Sequence, residues 1–375
     1  MKLSTKQFAA ALLFAALVGP SECNGADPLL TSPAYKTGQF SFVLHGESKA
    51  SYPILASINL TNWTPILTNY GDASVRMVSS AGSTDEAFFE VQRMPLPLFR
   101  FALAARMQMD LGGNNLLTDS FDSTFGAYGG TNISAFGDVA AYLGITNSIS
   151  VGNVDIYGRI FTGSNGSIVI GPQGSVGEMA WHSGGKSGIE TGSVRDDLSL
   201  DCGPVQPPST RGTFTPGNGD PIVLNSINGY YINGDLSLQN KTLLVTNANT
   251  FLYINGSLSM GGNSAAIVIA PGASLNLYVS GSVSIGGQGV SNPNNGSNFI
   301  LYGLQTCTNI DFAGDGAFTG GIYAPNADLE LKGGGSNNAT HPDDFVGAII
   351  ANTIVLTGSF SFHYDENLLR RGPMR

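Results

Sequence analysis

Five aspartates late in the chain, Asp311, Asp315, Asp328, Asp343 and Asp344, are the side chains best suited to acid and base work. Two carboxylates flanking a glycosidic bond can cleave it, one as the acid and the other as base or nucleophile. Basic partners are scarce: Lys241 and Lys332 are the only Lys or Arg between Gly212 and Leu369, and no acidic pair recurs at strand spacing. His341-Pro-Asp-Asp344 offers metal-ligand types, but it lies in a Gly/Asn-rich loop where adjacent carboxylates commonly form solvated turns. The run Ala180-Trp-His-Ser-Gly-Gly-Lys-Ser187 fits the loosest phosphate-loop pattern. No apolar strand leads into it and Gly188 and Gly192 follow at once, so a surface turn is expected. The C-terminal His363-Tyr364-Asp365-Glu366 is expected to form a capping hydrogen-bond network rather than a catalytic group. Catalytic, cofactor-binding and metal-binding residues are accordingly expected to be none.

Of three cysteines, Cys23 lies in the N-terminal leader, which leaves Cys202 and Cys307. They could pair in an oxidising compartment or stay as two separate buried thiols, since spacing alone does not bring their Cα atoms within the ~7 Å a disulfide needs. No Cys-x-x-Cys pair points to zinc or redox chemistry.

The element that must position any of these residues is a repeat. Tyr230-Tyr-Ile-Asn-Gly-Asp-Leu-Ser-Leu238, Leu252-Tyr-Ile-Asn-Gly-Ser-Leu-Ser-Met260 and Leu277-Tyr-Val-Ser-Gly-Ser-Val-Ser-Ile285 superpose on Gly234, Gly256 and Gly281, at spacings of 22 and 25. Gly320 to Gly333 matches Gly347 to Gly358 at offsets of 27 and then 25. Each unit is two short alternating strands joined by a Gly or Asn corner, as one coil of a parallel β-helix requires. The corner glycines Gly234, Gly256, Gly281, Gly320 and Gly347 are expected to supply the positive φ that sharp corners demand. From Ile149 to Phe360 there is material for roughly nine coils, a stack on the order of 40 Å long. Its ends need caps, for which 99–142 and 363–370 are the candidates.

Composition agrees. The chain has 375 residues, 50 of them Gly, with only 12% charged, so helices laced with Lys and Glu are scarce and an all-β protein is expected. A net charge of −10 argues against a phosphate backbone as partner, because such binding comes from basic groups.

Lys2 and Lys6 precede an apolar run from Phe8 to Val18, and Ala26 follows at a cleavage position. The run is too short to span a bilayer, so residues 1–26 read as a signal peptide and the mature chain as free of membrane spans. A polar linker is expected at 27–37 and a small β-sandwich-like module at 38–97. Phe40 to His45 and Tyr52 to Ile58 are its strands and Trp63 its core plug. The phrase Asn59-Leu-Thr-Asn-Trp-Thr-Pro65 resembles a small β module of exported bacterial proteins, although Glu90 stands where that module has Arg.

The remainder, 98–370, reads as a capped right-handed parallel β-helix. The phrases Thr118-Asp-Ser-Phe-Asp-Ser123, Ile156-Tyr-Gly158, Gly321-Ile-Tyr-Ala-Pro-Asn-Ala327 and Phe362-His-Tyr-Asp-Glu366 resemble an uncharacterised family of exported bacterial β-helix proteins. Its members carry a domain of unknown function, sometimes with pilin-like N-termini, and the resemblance implies no activity. The expected function is a non-enzymatic, exported structural or adhesive protein, periplasmic or at the cell surface, that meets polysaccharide or other envelope components. The alternatives are a carbohydrate-active lyase or hydrolase and, more weakly, a self-associating, pilus-like filament component.

Overall fold

The computed structural model describes residues 29–36, 39–45, 50–57, 59–70, 74–80, 88–112, 116–198, 200, 202–209, 212–226, 228–314, 318–333, 345–357 and 361–373. The expected leader and Asp315, His341, Asp343 and Asp344 lie outside these residues. Two compact units result, one ending at Leu98 and one running from Phe99 to Pro373 without 199–201. No helix among the described residues is long and apolar enough to cross a membrane.

The first unit holds two antiparallel sheets. One is Leu29–Lys36, Gln39–His45 and Ser74–Ser80; the other is Thr64–Tyr70, Ala50–Ser57 and Phe88–Val91, with Met94–Pro95 beside Ala50–Ser57. Alternation puts Phe42 and Leu44 of one sheet against Tyr52 and Ile54 of the other, with Phe89 and Val91 packed on them. Two expectations are corrected. The stretch 27–37 is not a linker, because Leu29–Lys36 pairs with Gln39–His45, its register shifting between Thr31 and Ala34 where Pro33 cannot donate to the ladder. Trp63 is half-buried rather than a core plug: it follows a tight turn in which Asn59 Oδ1 accepts from Thr61 N at 3.0 Å and Asn62 N at 2.9 Å.

The second unit is a parallel β-solenoid whose strands stack on three faces. The first face runs from Ile222–Leu224 through Thr242–Val245, Ala266–Ile269, Val290–Ser291 and the starts of Phe318–Gly333 and Phe345–Leu356. It then takes in Ser361–Asp365, Leu117–Phe121, Asp155–Tyr157, Ser175–Gly177 and Gly188–Ile189. On the second face, Leu252, Leu277, Leu301, Ile322, Ile349, Leu103, Val139 and Ile160 form one inward column in register. All eight are 0% exposed, and each contributes roughly 1.5–3 kcal/mol by leaving water. The third face carries Leu236–Gln239, Leu258–Gly261, Val283–Ile285, Asn309–Gly314, Ile149–Gly152 and Ile168–Ile170, among others.

These pairings correct the expected order of coils. Residues 99–142 do not cap one end, nor 363–370 the other. The coil 345–365 docks directly on 103–121, by Ile349↔Leu103, Ile354↔Met109 and Phe362↔Thr118, so the stack runs 222 to 365 and then 103 to 195. The chain enters mid-stack, climbs to one end, returns outside and rebuilds the rest from the other end. The return is anchored where Leu198 N donates to Thr162 O at 3.0 Å, Tyr323 Oη to Gly203 O at 2.7 Å, and Phe214 N to Tyr231 O at 2.6 Å.

The glycine reading is corrected in part. Gly234 and Gly347 have φ of 128° and 138°, but Gly256, Gly281 and Gly320 do not use positive φ. They are needed for close approach: a Cβ on Gly281 would lie 2.8 Å from the Gly256 carbonyl carbon, one coil below.

Candidate functional site

Alternation turns a row of tyrosines outward on the second face. Tyr231, Tyr253, Tyr278, Tyr302 and Tyr323 are in register, one per coil, the last of them buried where its hydroxyl donates to Gly203 O of the return segment. Tyr278 and Tyr302 stack with centroids 4.7 Å apart, and Tyr231 and Tyr253 lie at 5.2 Å. Burial raises the pKa of the Tyr278 and Tyr302 phenols, so they stay protonated donors. A polar row runs alongside where the chain leaves this face. Tyr231 Oη donates to Asn233 Oδ1 at 3.2 Å and Tyr253 Oη to Asn255 Oδ1 at 3.3 Å. Asn255 Nδ2 reaches Asn233 Oδ1 at 3.2 Å, and Ser280 Oγ reaches Tyr253 Oη at 3.3 Å. Aromatic faces beside amide donors and acceptors suit a ligand with apolar C–H faces and hydroxyl edges. The repeated phrases align these tyrosines, but nothing in the sequence alone gives them a role.

On the third face Asp311 and Glu330 are register partners, 19 positions apart and so closer in sequence than the 22 to 25 period of the repeat. Lys332 Nζ lies 2.7 Å from Glu330 and 3.6 Å from Asp311. Like charges facing each other across a ladder repel, and the ammonium offsets this. The hydrogen bond to Glu330, above all, raises the Lys332 pKa, which holds it as a cation and opposes work as a proton-abstracting base. Asp328 accepts from Asn352 Nδ2 and Thr353 Oγ1, both at 2.8 Å.

Among the described residues no group of three His, Cys, Asp or Glu side chains could hold a metal ion. The phosphate-loop pattern has the reverse element order, the short helix Met179–Ser183 preceding the glycines and strand Gly188–Ile189 following them. Around it Ser175 Oγ donates to Asp155 Oδ1 and meets His182 Nδ1 at 3.1 Å, while His182 Nε2 donates to Ile156 O at 3.0 Å. In a hydrolytic triad the histidine stands between serine and carboxylate; here the serine does, and it is only 3% exposed.

The C-terminal signature forms the mid-stack junction. His363 Nδ1 and Asp119 Oδ1 are 2.5 Å apart, both buried, with Tyr128 stacked on the imidazole at 3.6 Å and donating to Asp119 Oδ2 at 2.7 Å. Tyr364 Oη donates to Phe99 O at 2.9 Å. Asp365 accepts three main-chain N–H groups, from Gly296, Ser123 and Asn367, each at 3.1 Å. Glu366 Oε1 accepts from Ser120 Oγ at 2.8 Å, and burial raises its pKa. Apart from Asn367, these partners lie 69 to 265 positions away in sequence, which makes the signature a clasp between coils that are distant along the chain. Cys202 and Cys307 are not joined as a disulfide, and burial pushes the Cys307 thiol up to about 11, which leaves it unreactive.

Residues 200–371 match the model of a family described as a domain of unknown function, DUF7305. The match takes in the return segment and the coils from 222 onward but stops short of strands 103–195, which complete the stack. No curated protein and no solved structure matches the chain.

Proposed function

We propose that the chain is an exported, non-enzymatic structural or adhesive protein whose second face holds polysaccharide or a similar envelope component. The observation that carries this reading is the in-register row of Tyr231, Tyr253 and Tyr278 with Asn233, Asn255 and Ser280 beside it. A ligand laid along this row meets an aromatic face and an amide or hydroxyl at each coil, and nothing in such an arrangement calls for bond cleavage. The alternative, a carbohydrate-active enzyme, draws on the Asp311, Glu330 and Lys332 cluster. Glycan-array binding combined with reducing-end release separates the two. Binding without release, weakened at least tenfold by Tyr253→Ala and unchanged by Asp311→Asn, is the expected result. Saccharide release that Asp311→Asn abolishes would replace the adhesive reading with the enzymatic one.

A further inference from the structure

The two ends of the solenoid differ. At the end formed by 222–239, the inward residues Ile222, Leu224, Ile232, Leu236 and Leu238 are no more than 6% exposed. That end is closed by the return segment: Phe214 N pairs with the edge carbonyl of Tyr231, and the Phe214 ring packs on Tyr230 with centroids 4.8 Å apart. At the opposite end, among the described residues, the return segment reaches only the edge carbonyl of Thr162, through Leu198 N. Ile189 and Val194 are register partners of Val176 and Ile160, both 0% exposed, and so belong to the same inward columns. Yet Ile189 is 39% exposed and Val194 37%, and Ile168 and Ile170 are half-buried on the third face. Their main chain is open too. Gly188 N and Glu190 N donate back to Gly174 O and Val176 O, so Ile189 between them turns its own N–H and C=O along the axis, away from the stack.

We infer that this end is an interface between two copies of the chain, which meet top to top as a closed two-fold dimer. The matching surface must offer strand edges around an apolar centre, and the molecule already contains one coil-on-coil contact of this kind between separate segments, 345–365 on 103–121. The closed end of a second copy cannot serve, because Phe214 occupies its edge, so the partner must present its own open end. Such an isologous contact is complete with two copies and cannot propagate into a fibre. The rim carries both signs, Lys186 and Arg195 with Glu178, Glu190, Asp196 and Asp197, so that cations of one copy can face carboxylates of the other.

Sedimentation velocity on the full chain from 1 to 200 µM tests this. The expected result is a shift from monomer to dimer and no larger species, with amides of 188–195 gaining hydrogen-exchange protection in the dimer. Ile189→Lys with Val194→Lys should raise the dissociation constant at least tenfold, and so should Val169→Lys, which leaves the inward columns untouched. Ser237→Lys, on the outer side near the closed end, should have no effect. A monomer at every concentration, a mass that keeps growing, or rim variants that dimerise like the parent would each overturn the proposal.

Discussion

Asp138 carries the clearest linkage between a single side chain and stability. It precedes strand Val139–Ala141, and its Oδ1 accepts from Arg159 N at 2.7 Å. Desolvation pushes its carboxyl up to about 6, with a smaller push from Glu366, against the pull of the Arg159 N–H and of the Arg159 and Arg100 charges. A folded value above the ordinary 3.8 means that the folded state favours the protonated acid. The stability this gives is therefore complete below about pH 4 and lost as pH rises through about 6. Asp138→Asn keeps the acceptor for Arg159 N and removes the charge. Thermal melts followed by circular dichroism should show the variant more stable than the parent by roughly 1–3 kcal/mol at pH 7.5 and equal to it at pH 4. A difference that is the same at both pH values would rule out the carboxyl as its source. The His363 and Asp119 pair is a different case, because both side chains are buried and removing either one takes from the other its closest polar partner.

Within a coil, the glycines separate two demands that look alike in sequence. Gly234 has φ of 128° and open space around its Cβ position, so Gly234→Ala should cost only the backbone strain, about 1–2 kcal/mol. Gly281 has no positive φ but faces the Gly256 carbonyl and the Ser257 hydroxyl, so Gly281→Ala must push coils apart and should cost roughly 2–4 kcal/mol. Urea denaturation of the two variants would show the order; Gly234→Ala as the worse variant would mean that corner conformation, not coil spacing, sets the requirement. The repeat was legible because residues stacked in register are near copies: Tyr231, Tyr253 and Tyr278 pair as their phrases align, and the offsets of 27 and then 25 reappear as Ala324↔Ala351 and Asp328↔Thr353. The junction was not legible. Leu103–Leu111 pairs with 349–356 on one side and with 139–150 on the other, and plain apolar alternation fits any parallel neighbour. His363 and Asp119 are 244 positions apart, and Glu330 sits opposite Asp311 at an offset shorter than the period.

For the molecule as a whole, the order of coils is a permutation of the order along the chain. Every coil climbs in the same direction, from 222 to 365 and then from 103 to 195, and among the described residues only those between Leu198 and Ile222 run against it. The segment closes one end but adds no rung to the inward columns. Its bond from Tyr323 Oη to Gly203 O represents about 1 kcal/mol, small beside the columns it crosses. In the solenoid unit, then, a chain that begins at 212, runs to 373, and passes through a short flexible linker to 99–198 can meet the same contacts in sequential order. The ends to be joined belong to one clasp, since Tyr364 Oη bonds Phe99 O. Compared with the unpermuted 99–373 unit, this permutant should show the same far-ultraviolet circular dichroism and a melting temperature within a few degrees. It should also refold faster, because the contacts between 345–365 and 103–121 no longer wait on closing a loop of more than 200 residues. An unfolded permutant would mean that the return segment holds the stack together, and a permutant refolding at the parental rate would mean that docking of the two halves is not the slow step.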